Sequence, residues 1–266
     1  MPERAMYVVM DDDGWLRFTS RWRAPKLDLD LIGGPVAALQ RIRDQEKTYR
    51  WYNDTWCEAA ALIDQPNKIL FFFTRHCEDY AHRAAVLSTL GLTWPAWDVR
   101  WAYDGIADIR AYLGLEYSEA PTGHAFIEPS PAEGGMDQLV SVTREDGTTD
   151  AYGLELPVTE MLTCGPDCAD LLPASAKVTA CEWMPRSGVH IDHSAKTIGV
   201  WTIDSLSGLA DAVAWPGWKV EMWADRYTEQ LDRCGVTVPD WSLADGLRTL
   251  AARVRNGTDL HHSEPR

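Results

Sequence analysis

Three consecutive residues, His76, Cys77 and Glu78, have the side chains of a thiol-based active site. A cysteine whose proton is taken by a histidine is a strong nucleophile at neutral pH. Neighbours in sequence need not point at each other, however, and no local signature of a cysteine enzyme surrounds these residues. A catalytic site here is therefore an alternative, not the main prediction.

A second group of residues has the ligand types that zinc prefers, which are thiolates and imidazoles. Its members are Cys164, Cys168, Cys181, His190 and His193. Gly165 and Pro166 interrupt the helix that would hold the first two sulfurs on one face. We therefore predict no bound metal and no cofactor, and these five residues remain the alternative metal ligands.

The sequence lacks the common motifs of several enzyme classes. It contains no G-x-S-x-G, no G-x-x-x-x-G-K-[ST], no H-E-x-x-H and no G-x-G-x-x-G. These motifs build nucleophile elbows, phosphate loops, zinc sites and dinucleotide sites. Their absence lowers the expectation of hydrolase, nucleotide-dependent or dinucleotide-dependent chemistry.

The elements that position these residues are indicated by an internal repeat. The phrase "WPAWDVRWAYDG" at 94–105 returns as "WPGWKVEMWADR" at 215–226, and "ALIDQPNKILFFFT" at 61–74 matches "VHIDHSAKTIGVWT" at 189–202. Self-similarity of this kind predicts repeated structural units. The matched pairs include Trp97 with Trp218 and Asp64 with Asp192.

Three shorter matches occur in the same order. "DDG" at 12–14 corresponds to "EDG" at 145–147, "PVAAL" at 35–39 to "PVTEML" at 157–162, and "CE" at 57–58 to "CE" at 181–182. Because the acidic triple 11–13 has a counterpart, it is interpreted as a hairpin turn and not as a metal site. A residue found in only one copy is the better candidate for a specific function.

The periodicity of each copy predicts an α+β fold. Two hairpins with helices between them indicate a mainly antiparallel sheet covered by helices on one face. The predicted boundaries are a first repeat at 6–116, a Pro/Gly-rich linker at 117–136, a second repeat at 137–236, a C-terminal helix at 237–257 and a disordered tail at 258–266.

The charge of the chain restricts its partners. The formal net charge is −15, of which 1–120 carry −4 and 121–266 carry −11. Such a balance disfavours direct binding to nucleic acid. No apolar stretch is long enough for a membrane span, and no signal peptide is apparent, so we predict a cytoplasmic protein with free thiols and no membrane partner.

Aromatic residues specific to the second half suggest a binding surface. The chain has 13 Trp, and Trp is enriched at the energetic centres of protein interfaces. The predicted binding residues are Trp183, Trp201 and Trp241, together with the acids Glu221, Asp225, Glu229 and Asp232. A helix predicted near 226–234 would place Asp225, Glu229 and Asp232 on one face. The predicted partner is a basic or mixed-charge protein.

The sequence therefore predicts a non-enzymatic protein-binding module, for example an immunity- or antitoxin-like inhibitor. One alternative is an enzyme whose site lies in a cleft between the repeats and uses the copy-specific Cys, His and Asp groups. A weaker alternative is a small-molecule-binding protein with a Trp-lined pocket.

Overall fold

The computed structural model describes residues 3–53, 56–116, 138–155, 161–206 and 215–259. The chain divides into two compact units. Unit 1 is Met1–Tyr117 with Trp241–Arg266, and unit 2 is Ser118–Asp240. Among the described residues, no helix is both long and apolar enough to cross a membrane.

Unit 1 contains a six-stranded sheet in the order β3-β2-β1-β4-β5-β6. Its strands are β1 (Ala5–Asp11), β2 (Gly14–Ser20), β3 (Glu46–Thr48), β4 (Ala59–Asp64), β5 (Ile69–Thr74) and β6 (Asp98–Trp101). Its helices are α1 (Leu27–Leu31), α2 (Pro35–Arg43), α3 (Tyr80–Thr93), α4 (Ile106–Tyr112) and the C-terminal α6 (Leu243–Asp259).

Unit 2 contains a five-stranded sheet in the order β8-β7-β9-β10-β11. Its strands are β7 (Gln138–Thr143), β8 (Thr149–Leu154), β9 (Ser187–Asp192), β10 (Thr197–Thr202) and β11 (Lys219–Met222). Its helix α5 spans Thr228–Cys234. The sequence pattern of the second repeat predicts a strand near 177–183, which forms only isolated bridges at Lys177 and Ala180. The same pattern predicts helices near 157–163 and 206–213, which lie largely outside the described residues.

Both sheets are mixed, which corrects the prediction of mainly antiparallel sheets. The hairpins β1–β2 and β4–β5 are antiparallel, but β1 pairs with β4, and β5 with β6, in parallel. The matching pairs in unit 2 have the same directions. The prediction failed because the second hairpin does not continue the first as a meander; it adds to the far edge of β1.

Helices cover both faces of the unit 1 sheet, and not one face as predicted. Tyr7 of β1 donates from its hydroxyl to Asp30 of α1 at 3.2 Å. Tyr112 of α4 donates to Asp64 of β4 at 2.7 Å. Tyr7 is paired in register with Ala61, three residues before Asp64, and side chains alternate along a strand. The helices α1 and α4 therefore lie on opposite faces.

The first Trp of each Trp-Pro phrase makes the same two contacts in its unit. Trp94 donates from its indole to the carbonyl of Leu31 at 2.8 Å, and Trp215 to that of Leu162 at 2.9 Å. Each packs edge-on against the second Trp of its phrase, Trp97 or Trp218, with ring centroids 4.9 and 5.0 Å apart.

Two of the shorter sequence matches have the wrong register. The carbonyls of Leu31 and Leu162 also accept from Gly34 and Gly165, and both glycines have positive φ and precede a proline. Pro35 thus corresponds to Pro166, whereas the predicted counterpart at 157 lies outside the described residues.

The match between Cys57 and Cys181 is likewise displaced. Arg75 donates its N–H to the carbonyl of Glu58, and Ile203 donates to that of Arg186, both at 2.9 Å. Glu58 therefore corresponds to Arg186. The acid and the nitrogen donor exchange places there, since the Glu58 carboxylate lies 2.9 Å from His76 Nε2 and Arg186 binds the Asp204 carboxylate at 2.8 Å.

The helix α6 packs on α3 of unit 1. Gly246 lies so close to Ala81 that an added Cβ would overlap its carbonyl oxygen. Arg253 reaches Asp28 of α1 at 3.1 Å, and the other oxygen of this buried carboxylate accepts from His82 at 3.1 Å. The chain end thus closes the core of the first unit, although the sequence predicts that it acts with the second repeat.

Candidate functional site

The predicted catalytic residues point in different directions. His76 directs Nε2 to Glu58 at 2.9 Å, whereas Cys77 is buried and Glu78 faces Arg253 of α6 at 3.4 Å. The imidazole of His76 is thus engaged with a carboxylate at the start of β4. This contact joins the start of β4 to the end of β5, and it gives no support to a thiol nucleophile.

The predicted metal ligands occupy separate places in unit 2. Cys164 and Cys168 lie near the Gly165-Pro166 turn, and burial raises the pKa of the Cys168 thiol to about 12. Cys181 packs near Cys234, and burial raises its pKa to about 11. Both shifts oppose formation of the thiolate that zinc requires.

The two histidines of this group lie in different parts of one hairpin, His190 within β9 and His193 at the start of the turn that follows. His190 is buried in β9, while His193 packs edge-on against Trp218 with centroids 5.4 Å apart. In the described part of the chain, no three His, Cys, Asp or Glu side chains lie close enough to hold a metal ion.

A buried polar network in unit 2 is the main feature that sequence reasoning missed. Ser141 of β7 lies 2.9 Å from His190 Nδ1, and Gln230 of α5 donates to Ser141 Oγ at 2.9 Å. The Gln230 amide also binds the carbonyls of Leu139 and Val189, and its oxygen accepts from Trp201 at 2.6 Å. Each member of the network therefore has a partner.

This network is recognised by comparing matching strand positions in the two units. By strand register, Ser141 corresponds to Val8 and His190 to Leu62, so unit 1 has aliphatic side chains where unit 2 has polar ones. A Ser–His pair can activate a hydroxyl nucleophile. Here Ser141 and His190 are both buried, so no substrate reaches them.

The electrostatics of His190 agree with a structural role. Burial lowers its pKa to about 4, and the positive charge of Arg233 acts in the same direction. The imidazole is therefore neutral at pH 7. Its ring stacks on Trp223 with centroids 6.3 Å apart, and Arg233 lies over the same indole at 4.6 Å.

The three predicted Trp contacts have different surroundings. Trp183 is 60% exposed in unit 2. Trp241 is 39% exposed but belongs to unit 1, where its ring lies 4.8 Å from that of Tyr80. Trp201 is fully buried and donates to Gln230. Trp201 thus supports the core of unit 2 and offers no contact surface.

The predicted acidic face is largely balanced by neighbouring cations. Glu221 binds Lys219 at 2.7 Å, and Glu229 binds Arg233 at 3.1 Å. Asp225 lies in a turn before α5, so only Glu229 and Asp232 belong to the helix. The segment from 219 to 233 contains four acids and three bases, a net charge of −1.

Unit 1 instead has a surface that combines aromatic side chains with arginines. We call it the aromatic–arginine surface, and it lies beside the edge strand β3 on the face of the sheet that carries α4. Its members are Arg4, Trp15, Arg17, Tyr49, Trp51, Tyr52, Trp56 and Arg110.

Stacked cations hold this surface together. Arg17 lies over the rings of Trp15 and Trp51 at 5.2 and 4.8 Å, and those two rings are 6.0 Å apart. Arg110 of α4 lies over Trp51 at 5.4 Å, and Arg4 over Trp56 at 4.4 Å. Contacts of this type restrict the side chains before any partner arrives.

Known proteins give no further guide. Comparison of the chain with protein-family models, with curated proteins and with solved structures found no match.

The function is therefore inferred from the side chains of the described residues. The polar network around Gln230 is buried and each of its members has a partner, which fits a structural role. The aromatic–arginine surface is open to solvent at Tyr49, which is 81% exposed, and at Trp56, which is 50% exposed. Sequence reasoning missed it because its residues are scattered in the sequence from Arg4 to Arg110 and form no motif.

Proposed function

We propose that the chain is a non-enzymatic protein-binding module and that the aromatic–arginine surface of unit 1 is its principal contact surface. The observation that carries this proposal is the exposure of Tyr49 and Trp56 beside rings held by stacked arginines. Trp, Tyr and Arg are the residue types that contribute most binding energy in protein interfaces.

The division of charge supports a partner of mixed charge. Unit 1 has 18 basic and 20 acidic residues, a net charge of −2, whereas unit 2 has 7 and 20, a net charge of −13. A basic region of the partner would be attracted by unit 2, which accelerates encounter. The aromatic–arginine surface would supply the lasting contact. An immunity- or antitoxin-like inhibitor is one form of this function.

We further propose that the two units arose by duplication of one ancestral unit. The same order and direction of five strands, the paired Trp-Pro phrases and the side-chain pairs at Glu58 and Arg186 support this origin. The edge strand β3 of unit 1 is reduced in unit 2 to an isolated bridge between Tyr152 and Lys177. Copy-specific groups are where a binding function is expected.

The binding proposal is tested with a partner captured from the source cell and then purified. A Tyr49→Ala/Trp56→Ala variant should weaken the affinity by at least about tenfold, because an aromatic residue at the centre of an interface contributes about 2 kcal/mol to the binding free energy. The matched control is Leu92→Ala, which removes an equally exposed apolar side chain from α3 of the same unit.

A third variant locates the surface. Trp183→Ala removes the most exposed Trp of unit 2 and should leave the affinity unchanged. If Trp183→Ala abolishes binding while Tyr49→Ala/Trp56→Ala does not, the contact surface lies in unit 2 and the proposal is wrong. The same conclusion holds if no stoichiometric partner is found.

A further inference from the structure

Trp22 is the most exposed of the 13 Trp residues of the chain, with an exposed fraction of 63%. It lies in the connection between β2 and α1, two residues after β2 ends at Ser20. An indole in this position gains little from burial in its own unit. Trp is also the residue type most enriched at the energetic centres of protein interfaces.

The connection that carries Trp22 is fixed on both sides. On one side, β2 remains paired with β1 up to its last residue, Ser20. On the other side, Arg23 donates from Nε to the buried carboxylate of Asp30 at 2.8 Å, and the N–H of the next residue donates at 3.2 Å to a carbonyl just before β1. Only Arg21 and Trp22 lie between these anchors, so little conformational freedom is lost when a partner binds the indole.

The charges of this connection are positive. The segment 21–26 contains three basic residues and no acidic one. Arg23 shares Asp30 with Arg41, so one carboxylate faces two guanidiniums. Arg21 is exposed, and in the described part of the chain no carboxylate pairs with it. A carboxylate of a partner can therefore approach Arg21 from solvent and bind its N–H groups.

The position is specific to unit 1 and adjoins the aromatic–arginine surface. By strand register, Ser20 corresponds to Leu154 of unit 2. The next residues are Arg21 and Glu155, which have opposite charges. The fold shared by both units therefore does not require a cation here. Extending the pairing of β1 with β2 by one residue places Arg21 opposite Arg4, a member of the aromatic–arginine surface.

We propose that Arg21 and Trp22 are a second contact of the binding module and enter an apolar pocket with an acidic rim on the partner protein. The indole fills the pocket, and the guanidinium binds a carboxylate at its rim. A nucleic acid or an anionic membrane is a poorer match, because each presents an extended negative surface to a chain whose unit 2 has a net charge of −13. This inference rests on the proposed function and names the chemistry of the partner.

The test uses the full chain and a sulfonatocalixarene, a small aromatic cup whose negatively charged rim reproduces such a pocket. NMR follows the indole N–H signals during the titration, and the Trp22 signal is identified by its loss in Trp22→Ala. This signal should show the largest saturable shift among the indoles. Arg21→Gln should weaken the affinity about tenfold, the loss typical of one charge-assisted contact.

Two controls separate recognition from general attraction. The indole of Trp183 is 60% exposed but follows Glu182 and not an arginine, so its signal should move little. Arg248→Gln removes an exposed arginine of α6 and should leave the affinity measured at Trp22 unchanged. Because Arg21 and Trp22 are both exposed, their variants should keep the urea midpoint of the wild type.

Three results would overturn the inference. They are wild-type affinity of Arg21→Gln for the calixarene, a larger shift at Trp183 than at Trp22, and tighter binding of an oligothymidylate or of phosphatidylserine vesicles that is lost in Trp22→Ala. The proposed function fails differently, through lack of a partner that depends on Tyr49 and Trp56. A partner that needs those residues but binds Trp22→Ala as tightly as the wild type would refute only the inference.

Discussion

At the scale of single residues, the two units use buried charge and buried polarity in different ways. In unit 1, Asp28 holds both His82 and Arg253, so one carboxylate joins α1, α3 and α6. In unit 2, the corresponding interior is organised by neutral donors and acceptors around Gln230. Each arrangement makes a distinct prediction.

Asp28→Asn should destabilise unit 1 by about 3 kcal/mol, because the partly buried Arg253 loses its buried charged partner and keeps only the exposed carboxylate of Glu78. Urea unfolding measures this loss. The matched control is Asp245→Asn, which breaks an exposed pair with Arg248 and should cost less than about 1 kcal/mol. Equal losses in the two variants would show that the Asp28 network contributes nothing specific.

His190 should make unit 2 sensitive to acid. Its folded pKa, about 4, is below the unfolded value near 6.5, so the stability it contributes is complete above pH 6.5. That stability is lost as the pH falls towards 4, by about 3 kcal/mol in total. An NMR titration of the imidazole should therefore give a midpoint near 4 in the folded protein.

The cause of the shift is tested at Arg233. Arg233→Gln should raise the midpoint of His190, since it removes the repelling charge, while Arg226→Gln should leave it in place. A midpoint near the unfolded value in the wild type would mean that the imidazole is hydrated and the network is open.

At the scale of elements, the contact between α6 and α3 depends on one glycine. Gly246→Ala should destabilise unit 1 although alanine is normally the better helix former by about 1 kcal/mol, because the new Cβ would overlap the Ala81 carbonyl. Gly91→Ala in α3 is the matched control. Nothing lies within 4 Å of its added Cβ, so thermal unfolding should show a small gain there.

The elements differ in how well the sequence predicts them. The hairpins β1–β2 and β4–β5 follow from alternating apolar residues around turn formers, and the structure confirms both. The parallel pairing of β1 with β4 was not predictable, because it depends on which edge the second hairpin joins. The sequence predicts that one face of α6 is formed by Leu243, Leu247, Leu250, Ala251 and Val254. Leu250 is buried, whereas Leu243, Leu247 and Val254 are exposed.

The packed face of α6 contains Gly246 and Arg253 beside Leu250. A glycine and an arginine carry no apolar signal, so the apolar pattern identified Leu250 and missed its two neighbours on this face. The aromatic–arginine surface escaped notice for a related reason. Its members come from β1 to α4 and meet only through the fold.

At the scale of the whole molecule, the chain returns to unit 1 after completing unit 2. We therefore expect the fragment 118–240 to unfold cooperatively by itself, and the fragment 1–117 to be much less stable because it lacks α6. Adding a peptide of 241–259 should restore its stability, as measured by circular dichroism. A fragment 1–117 as stable as the full chain would show that α6 is dispensable.

The exchanged positions of acid and nitrogen donor in the two units have a consequence for the folding of this chain. Two units with the same strand order can exchange hairpin strands while they fold, as tandem repeats are prone to do. Pairing of β4 with β10 would bring Glu58 against Asp204, and pairing of β9 with β5 would bring Arg186 against His76. Only the correct partners place a carboxylate against a nitrogen donor, so these four side chains disfavour pairing between strands of different units.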